Sequence, residues 1–275
     1  MHNGPDRDLA FTDGDFKALS QTMRTLTGVA LAPEKREMVY GRLAKRVRAL
    51  GLASFRDYVR FLESPGGEAE IQGLINALTT NLTRFFREPY HFEDLRQHFA
   101  KARAQGSRRF RVWSAACSTG QEPYSIAAAL LEAGAHPQED VRVLATDIDT
   151  DVLARAQRGR YAAQDIASAP QELQKRFTLE GQEAVAGADL RALIAFKPLN
   201  LIGEWPMKGP FDAIFCRNVF IYFDQDLQAR IANKMATLLV PGGRLYIGHA
   251  ETLRDPRGLA LCGITTYTRD MANAA

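Results

Sequence analysis

Three cysteines in 275 residues, with no CxxC or CxxH arrangement, leave this chain without a disulfide framework or a zinc motif. Cys117, Cys216 and Cys262 read as reduced core thiols of a cytoplasmic protein, and no metal is expected. No apolar run approaches the ~18 residues needed to cross a bilayer. The opening MHNGPDRDLAFTDGDF is polar and mostly acidic, which does not read as a signal or transit peptide. Charge of one sign is also scarce, since a net +3 is too little to imply a nucleic-acid partner by itself. Glycine is missing where nucleotide sites need it. The stretch RVWSAACSTGQEPYSIAAALL (111–131) reads as strand, tight turn and helix, yet its turn holds one glycine, Gly120, where dinucleotide loops hold three. GxxxxGK[ST] is absent, so ATP and GTP are poorly supported.

What is present is the composition of a globular protein with a full core, 46% hydrophobic and 24% charged. The length allows one large domain or two ordinary ones. The first part is helical in pattern. Phe16, Leu19, Met23 and Leu26 form a stripe closed by Gly28, and Val39, Leu43, Val47 and Leu50 share one face of a helix running from Pro33 to Gly51. SFRDYVRFLE, capped by Ser54, and EAEIQGLINALTT complete a small all-α module. Residues 34–60 carry eight basic side chains against three acidic ones, a local +5. Within them Lys35, Arg42 and Arg46 lie along one helix edge, a stripe suited to an acidic partner surface.

From RFRVWSA onward strands alternate with helices, which means a doubly wound, mainly parallel sheet. The strands read as RFRVWSA, VRVLATDID, LIAFKPLNL, PFDAIFCRN and, after a PGG turn, RLYIGHAE, with LALCGITTYTRD as a final antiparallel pair. The long connection over 160–190 implies an inserted subdomain. The domain boundaries expected are 1–85 and 86–275, with the insertion at about 162–195.

In such sheets ligands bind beyond the carboxyl ends of the strands. The residues leaving those ends are the 115–122 loop, Asp147, Asn200 with Leu201, and Arg217 with Asn218. A carboxylate at Asp147 suits a ribose diol, although it could instead cap the next helix. Glu122 at the helix start would repel a pyrophosphate. It suits S-adenosylmethionine, which has no phosphate but carries a sulfonium and an ammonium; a first-turn acid serving the helix dipole is the plainer alternative. No catalytic dyad is visible, and His2, His91, His98, His136 and His249 read as surface or structural residues.

TTNLTRFFRE (79–88), VWSAACSTGQEPYSIA (112–127), LATDIDTDVL (144–153), PFDAIFCRNVFIYFD (211–224) and the weaker PGGRLYIGHAE (241–251) together resemble the bacterial chemotaxis receptor methyltransferases of the CheR type. The resemblance covers roughly residues 15–270, in the family's order. It implies a Rossmann-like class I methyltransferase sheet with an inserted antiparallel β-subdomain, preceded by a small all-α domain. It implies S-adenosylmethionine as cofactor, S-adenosylhomocysteine as product, and glutamate side chains in the cytoplasmic helical region of chemoreceptors as acceptors. Cofactor contacts then fall on Asn81, Thr83, Arg87, Glu122, Asp147, Asn200, Leu201, Arg217 and Asn218. Arg87 and Tyr222 become the residues that position the acceptor, and Lys35, Arg42 and Arg46 the receptor-facing stripe. The family's inserted subdomain can dock a C-terminal receptor tether; here the piece from Phe177 to Asn200 is short and rich in Gly and Ala, a few residues trimmed against members that bind it. A monomer without nucleic acid is expected. Two other readings stay open at this stage: a nucleic-acid methyltransferase gripping phosphates with the basic module, and a non-catalytic regulator that binds S-adenosylmethionine.

Overall fold

The computed structural model describes residues 9–270 apart from Pro137 and Asp255. His2 and most of the acidic opening lie outside the described residues. The chain forms two compact units, 1–80 and 81–275. No helix among the described residues is long and apolar enough to cross a membrane.

The first unit holds helices α1 (Asp13–Thr27), α2 (Arg36–Ala49), α3 (Phe55–Leu62) and α4 (Glu68–Leu78), with a short 3₁₀ turn at Pro33–Lys35 ahead of α2. Thr12 and Asp15 cap each other's backbone at the start of α1, and Gly28 ends it at φ +76°. Ser54 caps α3 as its position suggested. Phe16, Leu19, Met23, Val39, Leu43 and Val47 are buried, whereas Leu50 is 40% exposed because α2 ends one residue before it.

The basic stripe is divided by this packing. Arg46 forks onto Glu70 at 2.6 and 2.7 Å, and Tyr58 donates to the same carboxylate at 2.8 Å. Arg42 donates to the carbonyl of Thr79 at 2.6 Å. The edge that Arg42 and Arg46 share faces α4, where these bonds engage both side chains inside the unit while leaving each partly exposed. Lys35 stays exposed.

The second unit begins with a segment without regular structure and then α5 (Tyr90–Ala104). It continues as β1 (Arg109–Ser114), α6 (Gln121–Glu132), β2 (Asp140–Asp147) and α7 (Thr150–Arg158). An insertion follows: β3 (Arg160–Ala162), α8 (Ala163–Ala167), α9 (Gln171–Gln174), β4 (Phe177–Glu180), β5 (Glu183–Ala186) and α10 (Ala188–Leu193). The main sheet resumes with β6 (Ile194–Pro198), β7 (Phe211–Phe215), α11 (Gln225–Leu238), β8 (Leu239–Tyr246), β9 (Leu259–Gly263) and β10 (Thr266–Arg269).

The large sheet has the order β6-β2-β1-β7-β8-β10-β9, with β10 antiparallel to both its neighbours and the first five strands parallel. The insertion makes a separate antiparallel sheet, β3-β5-β4. This is the expected fold class. Strand order turns between β1 and β7, and that switch point opens a crevice at the carboxyl ends of the strands. Phe110, Val112, Val141, Val143, Ala213 and Phe215 fill the core between the sheet and α5 and α6.

One local expectation fails. Pro241-Gly242-Gly243 is not a turn before the strand but part of β8 itself. Phe211 pairs with Leu239 and Ala213 with Arg244, so three extra residues bulge out of β8.

Replacing Arg46 by Met should cost the first unit about 1–3 kcal/mol, because it leaves the buried Glu70 carboxylate without its counter-charge, held by the Tyr58 hydroxyl. Lys35→Met should stay within about 0.5 kcal/mol of the parent. Urea unfolding of the two variants checks this contrast.

Candidate active site

The turn between β1 and α6 is built for close approach. Ser118 adopts φ +49° and Gly120 φ +99°. A Cβ on Gly120 would stand 2.6 Å from the Tyr161 hydroxyl and 2.8 Å from the Ala156 Cβ, so the insertion and α7 together leave no room for a side chain there. Cys117 points into a small core with Ala145 and Leu153. Burial pushes its thiol up, which makes it unreactive.

Asp147 ends β2 and is 8% exposed. Its Oδ2 accepts the Ser118 amide at 2.8 Å and its Oδ1 the Asp149 amide at 3.0 Å. It does not cap α7. Asp149 does, accepting the amides of Asp151 at 3.0 Å and Val152 at 3.2 Å. The Ile148 amide acts on the same carboxylate, whose two oxygens offer about four acceptor sites in all, so Asp147 keeps acceptor capacity. Burial pushes its pKa up to about 6, against the opposing pull of the Asp149 and Ser118 amides.

Asn81 is joined to this end. Its side chain donates to Asp149 Oδ2 at 2.7 Å, and its carbonyl accepts the Ser118 hydroxyl at 2.9 Å. Asn200 follows β6, whose Pro198 pairs with Asp147, and the amide of Leu199 donates to the Asp147 carbonyl at 2.9 Å. Leu201 is buried, and its carbonyl takes the Trp205 indole at 3.2 Å.

Glu122 stands in the first turn of α6, but not as a free charge. Ser114 donates to its Oε1 at 2.7 Å and Arg217 Nη1 to its Oε2 at 3.1 Å. Burial raises its pKa, Arg217 and Ser114 lower it, and the charge of Glu88 adds to the rise. Arg217 itself is 2% exposed at the side chain. Its Nη2 lies 3.1 Å from Glu88 Oε2 and also donates to the Arg87 carbonyl, while its guanidinium lies over the rings of Phe92 and Phe215 at 5.6 and 6.0 Å. With both terminal nitrogens engaged and almost no exposure, Arg217 has little surface of its own to offer a ligand.

Glu88 joins these parts, and nothing in the sequence singled it out. It is buried at φ +57°, with His249 Nδ1 at 2.8 Å and Asn218 Nδ2 at 3.4 Å, both on its Oε1. Burial alone would raise its pKa; the Arg217 charge and the His249 bond outweigh it and hold the group at about 2. The ionised carboxylate can only accept, so His249 presents a protonated Nδ1. His91 packs beneath at full burial, which lowers its pKa to about 4 and keeps it neutral. A lone acid after FFR was the available signal, but its partner Arg217 is far along the chain.

Arg87 is 26% exposed at its side chain, donates to the Leu82 carbonyl at 3.1 Å, and passes Glu88 at 3.8 Å. Thr83 is half-buried in the same irregular segment, which forms no helix. Tyr222 sits in a 3₁₀ turn, Phe220–Tyr222, half-buried, with no side-chain hydrogen bond among the described residues. The network thus brings Asn81, Arg87, Glu122, Asp147, Arg217 and Asn218 to one rim; Asn200 and Leu201 reach it through the end of β6, and Thr83 and Tyr222 through the backbone of their own segments.

The donor set fits S-adenosylmethionine. Asp147 is buried and Glu122 largely so at the carboxyl ends of the strands, and Glu122 occupies the helix start where a phosphate would need free amides. Asp147 retains the acceptor capacity that a ribose diol requires.

Comparison with known proteins agrees. Residues 14–79 match the family described as "CheR methyltransferase, all-alpha domain" and residues 81–268 the one described as "CheR methyltransferase, SAM binding domain". The chain is 45% identical over 266 residues to a chemotaxis protein methyltransferase of Klebsiella aerogenes, covering 94% of this chain and 90% of that protein. It is 44% identical to one from Escherichia coli, at 94% and 92% coverage. It is 43% identical to chemotaxis protein methyltransferase 2 of Pseudomonas aeruginosa, at 90% and 89%.

Asp147 supplies a pH test. Its folded pKa of about 6 lies above the ordinary 3.8, so its protonation favours the fold. That contribution is full below about pH 3.8 and is lost as pH rises through about 6. Asp147→Asn carries no such charge. Between pH 4 and 7 the variant should gain about 2–3 kcal/mol of stability relative to the parent. Its affinity for S-adenosylmethionine should fall more than about tenfold. Urea unfolding at both pH values and calorimetric titration check the pair; parallel stability curves would contradict it.

Proposed function

The chain belongs to the CheR methyltransferases, and from that premise we propose that it moves a methyl group from S-adenosylmethionine to glutamate side chains of chemoreceptors. The products are a glutamate methyl ester and S-adenosylhomocysteine. The observation that carries this reading is the rim itself: the buried Asp147 and the largely buried Glu122, two carboxylates at the switch point, with Glu122 in the first turn of α6 where a phosphate would need free amides.

When bound, the cofactor supplies a methyl group made electrophilic by its sulfonium. The chain's own residues hold, orient and screen. Asp147 takes the ribose diol with its remaining acceptor capacity, supported by the Ser118 and Asp149 amides. Asn81, Thr83, Asn200, Leu201 and Asn218 line the rest of the cofactor's path. Glu122, its charge balanced by Arg217, faces the cationic end of the cofactor. Arg87 and Tyr222 stand at the acceptor side. Both keep part of their surface open, and the Tyr222 hydroxyl is uncommitted.

An acceptor glutamate has an unperturbed pKa near ~4.3 and is ionised at neutral pH, so no general base is needed. That fits a site whose nearby histidines, among the described residues, are the neutral, buried His91 and the Glu88-bound His249. Rate comes from placing the carboxylate in line with the methyl group. One directional contact from Arg87 aligns the acceptor without quenching it.

The receptor would meet the basic module through its exposed cations. Lys35 ahead of α2, and Lys45 and Arg48 on it, lie at the surface, as do Arg56 and Arg60 on α3.

The test uses labelled S-adenosylmethionine with chemoreceptor-containing membranes in one arm and RNA in the other. The expected result is label on the receptor that is released as methanol by mild alkali, the mark of a carboxyl ester. Label on RNA, or cofactor binding without transfer, would contradict the proposal. In the same assay Tyr222→Phe and Arg87→Ala should each lower kcat by about 10- to 100-fold, with cofactor affinity changed less than kcat.

A further inference from the structure

One buried carboxylate near the rim is bonded to backbone amides alone. Glu251 is 5% exposed and stands on the turn after β8, where its own amide donates to the Gly248 carbonyl at 2.9 Å. Its Oε2 accepts the amides of Gly248 at 2.5 Å and Asn218 at 2.9 Å, and its Oε1 accepts the amide of Ile221 at 3.2 Å. A single side chain therefore ties the end of β8 to both ends of the 218–221 segment that leaves β7.

That segment has other ties. Gln228 donates to the carbonyls of Phe220 at 2.9 Å and Phe223 at 3.0 Å, Asn218 Nδ2 reaches Glu88 at 3.4 Å, and Phe220 is buried. Glu251 is the carboxylate that takes its amides at both ends. Asn218 holds φ +58°, a conformation that costs a non-glycine residue of order 1 kcal/mol and persists only where neighbours impose it. Phe220–Tyr222 is one 3₁₀ turn, closed by the Tyr222 amide on the Val219 carbonyl at 3.1 Å. The Tyr222 side chain adds no hydrogen bond of its own among the described residues, so its direction follows the backbone that carries it. Burial works against ionisation of Glu251, and the amides of Gly248, Asn218, Ile221 and Phe220 work for it. Amides converging on one carboxylate are the arrangement that repays burying it.

We infer that Glu251 is a positioning residue: its carboxylate holds the 218–221 backbone so that Tyr222 is aimed at the transferred methyl group. This rests on the reading of Tyr222 as an acceptor-side residue. Glu251 touches neither cofactor nor acceptor, and it acts through the segment it ties.

A second position reaches the same segment from outside. A Cβ at Gly248 would stand 2.3 Å from Asn218 Nδ2 and 2.8 Å from its backbone nitrogen. Gly248→Ala therefore pushes Asn218 off the Glu251 carboxylate without altering Glu251 itself.

The experiment is a double-mutant cycle on kcat with chemoreceptor-containing membranes. Its members are Glu251→Gln, Gly248→Ala, Tyr222→Phe, and each of the first two combined with the third. The expected result is that Glu251→Gln and Gly248→Ala each lower kcat about 10- to 100-fold. In either background, removing the Tyr222 hydroxyl then costs less than about threefold more. Multiplicative losses would overturn the role of Glu251, because a general structural defect adds to loss of the hydroxyl instead of masking it. A wild-type kcat for Glu251→Gln would overturn it as well. A Tyr222→Phe variant that turns over at the parent rate would instead remove the reading of Tyr222, and this inference with it. If Glu251→Gln does not fold, the Gly248→Ala cycle decides by the same criterion.

Discussion

The site depends on one buried cation. Arg217 lies almost fully out of solvent between Glu88 and Glu122, with aromatic faces on two sides. Burying a guanidinium is costly unless it is paired, and breaking such a pair by removing one partner costs about 3–5 kcal/mol. Here three segments depend on the pairing at once: the irregular stretch that ends at Glu88, the first turn of α6, and the loop after β7. Each carries residues assigned to cofactor or acceptor. The ion pairs thus fix where the ligand-facing groups stand, even though Arg217 has almost no surface of its own to offer.

Function is held in this frame at some cost to stability. Asp147 is an acid whose burial favours its neutral form, yet a ribose diol is best held by the charged one. Asn218, Ser118, Phe86 and Glu88 all hold positive φ close to the crevice. Strain of this kind gathers where geometry matters more than stability, and the surrounding hydrogen bonds sustain it. The two roles of carboxylates are separated cleanly. Asp147 keeps acceptor capacity for a ligand, whereas Glu88 and Glu251 are turned inward and organise the backbone.

Much of this was legible from local pattern. The strand, turn and helix over 111–131, the acid ending β2 and the helical module all follow from periodicity and caps, which need only neighbouring residues. The helix edge shared by Arg42 and Arg46 was also correctly read, but not what it faces; α4 supplies Glu70 from outside that helix. The Pro-Gly-Gly bulge in β8 was misread because glycines that end a strand and glycines that bulge it look alike without the partner strand. Glu88 stayed hidden for a related reason. Its pairing with Arg217, and that of Arg217 with Glu122 95 residues away, exist only once β1 and β7 lie side by side.

The central claim is that the Arg217 ion pairs assemble the cofactor site without contacting the cofactor. Calorimetric titration of S-adenosylmethionine into Arg217→Met and into Arg217→Met/Glu122→Gln tests it most directly, with folding checked by circular dichroism. The account predicts affinity at least about 30-fold weaker than the parent in the single variant, a loss of about 2 kcal/mol. It also predicts no further large loss in the double variant, because Glu122 is already misplaced. A folded Arg217→Met protein that binds the cofactor at the parent affinity would contradict it.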